Sequence, residues 1–141
     1  MSSYSIPGSS MSTASSRGAL AYRTVDAQSR SPLELVVMLY DGGVRFLGEA
    51  RDAHERNDMV GRAVGVSRAL AVVGELRSTL NLDEGGEMAL DLDRLYDYMM
   101  SRLLDVTTKR DTSGLEEVQR LMMTVREGWI QLSASASPPQ R

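Results

Sequence analysis

His54 is the only histidine in this 141-residue chain, and cysteine is absent. Those two counts decide most of the catalytic and metal chemistry open to it. A helical di-iron centre takes a Glu-x-x-His pair from each of two helices, which one histidine cannot supply. A thiolate metal site, a disulfide framework and a cysteine nucleophile are excluded outright. Serines and aspartates are plentiful, but no Gly-x-Ser-x-Gly elbow holds a serine on a strained turn. Gly42-Gly43 and Gly85-Gly86 lack the spacing and the following Lys-Ser or Lys-Thr of a phosphate-binding loop. Close helix packing suits the first pair and a turn suits the second. No enzymatic activity, metal or cofactor is therefore expected.

His54 has one further chemistry open to it, because a histidine on the solvent face of a helical bundle can accept a phosphoryl group. Counting back from it by three or four residues gives Ala50, Leu47, Gly43, Tyr40 and Val36, so its ring continues an apolar helical stripe. The expected environment is partly buried and near a helix C-terminus, where positive charge is favoured.

The elements that must position these residues are helices. Hydrophobic residues make up 42% of the chain, enough for one domain with a real core. A net charge of −3 leaves no footprint of a nucleic-acid binder. Residues 1–18, rich in Ser and Gly, are expected to be a disordered tail, as are residues 133–141 with Pro138 and Pro139. The first residues lack the basic and apolar regions of a secretory signal, and no stretch is apolar for long enough to span a bilayer. A soluble cytosolic protein is expected.

Between the tails, residues 19–132 read as an antiparallel up-down four-helix bundle, an all-α fold. Ser31-Pro32 with Glu34 forms a capping box that opens a first helix, running to about Arg56. Asn57 or Asp58 caps a second, from about 59 to 80, in which Gly61, Gly65 and Gly74 are unfavourable and the polar face is poorly marked. After "NLDEGG", a third helix runs from about Glu87 to Lys109, with Met88, Leu92, Leu95, Met99, Leu103 and Val106 as one buried stripe. A fourth starts near Ser113, with Glu116 three residues on, and carries Leu115, Val118, Met122, Val125, Trp129 and Leu132.

The first and third helices carry more apolar residues than one buried face requires. Leu33, Val37 and Val44 flank the stripe of the first, beside Tyr40 on the stripe itself. Tyr96, Met100 and Leu104, spaced by four, form a second ladder on the third. Extended apolar flanks mark binding surfaces, and the nine methionines suit an adaptable one. The alternative is that the flanks only widen the core.

Three stretches, "SPLELVVMLYDGGVRFLGEA", "LNLDEGGEMALDLDRLYDYMMSRLL" and "GLEEVQRLMMTVREGW", resemble the FliS family of flagellar secretion chaperones in that order and at similar spacing. The resemblance runs from about Ala21 to Leu132. It implies a four-helix bundle in the bacterial cytosol that binds the disordered C-terminal segment of flagellin, prevents its premature polymerisation and delivers it to the flagellar type III export apparatus, whose gate is a further candidate contact. It also implies an N-terminal segment that covers part of the groove. "ALAYRTV" matches that segment, which gives the mobile lid to Leu20, Tyr22 and Val25. The partner-binding residues are then Leu33, Val37, Tyr40, Val44, Tyr96, Met100 and Leu104. A helical-bundle chaperone or scaffold for another partner protein is the alternative function.

Overall fold

The computed structural model describes residues 31–136, which form four α-helices and no strand. They are α1 (Pro32–Glu55), α2 (Met59–Ser78), α3 (Gly86–Thr108) and α4 (Ser113–Ala136). Each helix packs on the next in sequence, and α4 closes the ring on α1. Short connections between successive neighbours make the bundle antiparallel.

Local signals set the helix ends. The Ser31 hydroxyl accepts from the Glu34 N–H while the Glu34 carboxylate accepts from the Ser31 N–H, so both arms of the capping box are made. Asn57 and Asp58 divide the next boundary between them. Asn57 takes the left-handed conformation just past α1, with φ of 61°, and the Asp58 carboxylate accepts from the Gly61 N–H at 2.9 Å to start α2. At α4 the expected box on Ser113 does not form. Asp111 accepts from both the N–H and the hydroxyl of Ser113, and Glu116 pairs with Arg120 instead. The C-terminal end also differs from expectation, since α4 continues four residues past Leu132. "SASA" is tolerated in a helix, since Ala favours it and Ser costs little.

The core is built from all four helices: Tyr40, Leu47 and Ala50, then Val66, Ala69, Val73 and Leu76, then Tyr96, Met99, Leu103 and Val106, then Leu115, Val118 and Met122. α1 and α2 approach most closely, because Gly65 presents no side chain. A Cβ there would stand 2.8 Å from Ala50 Cβ and 2.9 Å from the Phe46 carbonyl oxygen. Gly43 plays the same part beneath the Met122 thioether. Gly74 has nothing within 4 Å of its would-be Cβ and only lowers helix propensity. Gly74→Ala should therefore stabilise the fold by about 0.5 to 1 kcal/mol, whereas Gly65→Ala should destabilise it by about 1 to 3 kcal/mol through overpacking. Urea unfolding of the two variants checks the opposite signs.

A candidate client-binding surface

The two stripes expected to be core do not stay buried along their whole length. In α3, Met99, Leu103 and Val106 are buried, but Leu92 and Leu95 are half-buried and Met88 is 59% exposed. In α4, Leu115, Val118 and Met122 are buried, Val125 and Trp129 half-buried, and Leu132 exposed. The helices are antiparallel, so the start of α3 and the end of α4 lie at the same end of the bundle. There the two stripes form the walls of an open groove of about 660 Å³, lined by Met88, Leu92, Leu95, Val125, Trp129 and Leu132, with Glu87 and Asp91 on its rim. The inward positions at that end of α3 are taken by Ala89 and Tyr96.

Tyr40 and Tyr96 are core residues, not surface ones: both are buried, and their hydroxyls hydrogen-bond to each other across the diagonal of the bundle. Burial raises the pKa of both phenols. The Trp129 indole N–H faces Tyr40 but completes no hydrogen bond among the described residues.

The remaining partner-binding candidates fall on two sides of the bundle. In α1, Arg126 pairs with Asp41 and the Gln119 amide donates to the Val44 carbonyl, so the side carrying Leu33, Val37 and Val44 faces α4. All three are half-buried along that seam. In α3, Asp93 and Asp97 both accept from Arg77 of α2. Met100 and Leu104 lie two helical turns beyond them and therefore share the side facing α2. Met100 is half-buried and Leu104 is 50% exposed. The seven residues thus do not converge on one groove. Leu20, Tyr22 and Val25 lie outside the described residues.

A further apolar face was not legible in the sequence. α2 buries Gly65, Val66, Ala69, Val73 and Leu76, yet also exposes Met59, Val60 and Val64. Its unmarked polar face was the signal that this helix is apolar on both sides.

His54 is exposed, with Nδ1 3.1 Å from an Arg62 guanidinium nitrogen, which corrects the expectation of a partly buried ring. It stands in the last turn of α1, where the helix is ending and α2 has yet to pack over it. Among the described residues no group of three or more His, Asp or Glu side chains could hold a metal, and no helix is long and apolar enough to cross a membrane.

Below the groove, Arg102 ties α3 to α4. Its guanidinium donates to Glu117, Asp111 and Ser113, and the Tyr98 hydroxyl donates to the other Glu117 oxygen. Hydrogen bonds from Ser113 and then Arg102 lower the Asp111 pKa to about 2. Those from Tyr98 and then Arg102 lower that of Glu117. Because both folded-state values lie below the unfolded ones of about 4, their stabilisation is complete above that pH and is lost as pH falls toward 2. Arg102→Gln should flatten the fall of the unfolding midpoint between about pH 4.5 and 2. An unchanged slope would show that the cluster contributes nothing.

Four helices, an open apolar groove, and apolar residues left over after the core is filled define a helical bundle with apolar surface to spare. A family model described as "Flagellar protein FliS" matches residues 15–136. The chain is 38% identical over 130 residues to the flagellar secretion chaperone FliS of Salmonella typhimurium, covering 90% of this chain and 96% of the relative. It is also 38% identical over 112 residues to the flagellar secretion chaperone FliSB of Pseudomonas aeruginosa (78% and 89%), and 33% over 111 residues to the Bacillus subtilis FliS (79% and 82%). The chain belongs to the FliS family of flagellar secretion chaperones.

Proposed function

We propose that this protein binds the C-terminal segment of flagellin in the bacterial cytosol, holds it apart from other copies, and presents it to the flagellar export apparatus. The observation that carries the reading is the opening of the α3 and α4 stripes into one apolar groove. Relatives bearing the description "flagellar secretion chaperone" supply the class of client. A disordered apolar segment folding into such a groove as a helix would bury the surplus that the bundle leaves in solvent. The exposed face of α2 and Leu104 would extend the contact around the molecule. Leu20, Tyr22 and Val25 would compete for part of this surface when the client is absent. Catalysis has no place in this reading.

Trp129 is the only tryptophan and lines the groove, so it reports the event directly. Titration with a flagellin C-terminal peptide should change its emission and saturate at one equivalent. A peptide that binds without disturbing Trp129 would move the site elsewhere. A peptide that does not bind would favour another client.

A further inference from the structure

The exposed face of α2 continues toward α1 into a seam of different chemistry. Phe46 of α1 is half-buried there, and two guanidiniums lie over its ring, Arg45 with Cζ at 4.9 Å and Arg68 with Cζ at 5.8 Å. Arg68 also borders an open depression of about 470 Å³ walled by Met59, Val60 and Val64. Val60 is 75% exposed.

Most basic side chains among the described residues stand against a carboxylate, as Arg77, Arg102 and Arg126 do. Arg68 has no such partner there, and Arg45 reaches only Glu49, at 3.9 Å and in solvent. The ring face attracts both cations, yet it cannot neutralise them. What results is a positive spot at the edge of an apolar strip, open to an incoming carboxylate. The α3–α4 groove has an acidic rim, Glu87 and Asp91, with no basic side chain among its lining residues, and of the two Asp91 accepts from Arg94. The two apolar surfaces therefore select different flanking charges.

We propose that the α1–α2 seam around Phe46 is a second docking site, taking an apolar stretch of the client flanked by carboxylates that pair with Arg45 and Arg68. The proposal rests on the flagellin reading above. The occupant follows from charge and from continuity: Val60 and Val64 belong to the exposed face of α2 and to the Arg68 depression, so a segment lying along α2 is carried to the arginines. Apolar contact supplies the grip, and the charges set which part of the client lies here and in which direction it runs.

The experiment compares the wild-type protein with the Arg45→Glu/Arg68→Glu variant. Both are titrated calorimetrically with a flagellin C-terminal peptide at low and high salt, with Trp129 emission followed in parallel. The variant should bind about tenfold more weakly at low salt, with the gap narrowing at high salt, while the Trp129 response persists. A peptide whose Asp and Glu are changed to Asn and Gln should lose a similar factor against wild type and nothing more against the variant. Wild-type affinity and salt dependence in the variant would overturn the proposal, as would a full further loss with the amide peptide. Should the double variant fail to fold, Arg68→Gln, expected to lose a smaller factor with the same salt dependence, replaces it. Failure of the peptide to bind the wild-type protein at either salt would instead sink the flagellin reading, and this site with it.

Discussion

Leu104→Glu should lower affinity for a flagellin C-terminal peptide by about a hundredfold while leaving the fold almost untouched. Half of the Leu104 surface is already in water, so in the free protein the new carboxylate stays solvated and stability should shift by no more than about 0.5 to 1 kcal/mol. A helix lying across α2 and α3 would strip that water away. An unpaired carboxylate left beneath it costs several kcal/mol, and about 2.7 kcal/mol is a hundredfold in affinity. Asp97 shares this side of α3 and already holds the Arg77 guanidinium there. Val37→Glu is the contrast. Val37 is half-buried on the seam with α4, and the same change there should destabilise the protein by about 1 to 3 kcal/mol before any client is added. Calorimetry beside denaturant unfolding separates the two. If Leu104→Glu binds as wild type does, the α2–α3 side is not a client surface, and the contact lies on other faces of the bundle.

The four helices were legible because their signals are local. A capping box at Ser31 and an acidic cap at Asp58 act within one turn, so neighbouring residues are enough to find them. The division of apolar residues between core and groove is not local. Met88 and Leu132 carry the same periodic mark as Met99 and Val118, and only the placement of α3 against α4 decides which are covered. A seven-residue repeat also drifts around a 3.6-residue helix by about 20° per heptad, so one stripe can begin on one flank and end on another. For α2 the pattern had no contrast to read, since Val60 and Val66 are alike in sequence and opposite in exposure. Resemblance to a family located the apolar surplus without saying which of its members face inward. Tyr40 and Tyr96 were assigned to the partner surface, yet both face inward.

That correction has its own measurable consequence. Tyr40→Ala should be among the most damaging single changes in the bundle, at about 3 to 5 kcal/mol, because it deletes a fully buried ring and leaves a cavity among Tyr96, Trp129 and the helix backbones. Tyr40→Phe keeps the ring and removes only the oxygen. It still leaves the Tyr96 hydroxyl buried without the partner it now has, for about 1 to 3 kcal/mol. Tyr96→Phe does the same to Tyr40. Replacing both by Phe removes the orphan along with the bond, so the double variant should be more stable than the sum of the single losses predicts, and close to wild type. If the hydroxyls served the client instead, the single variants would unfold normally and bind poorly, and the double variant would bind worst of all. In the core reading each folded variant binds with wild-type affinity, since neither oxygen reaches the surface. Denaturant unfolding of the four proteins in this cycle, with flagellin-peptide titration of each, decides between a pair that holds α1 to α3 and a pair that holds the client.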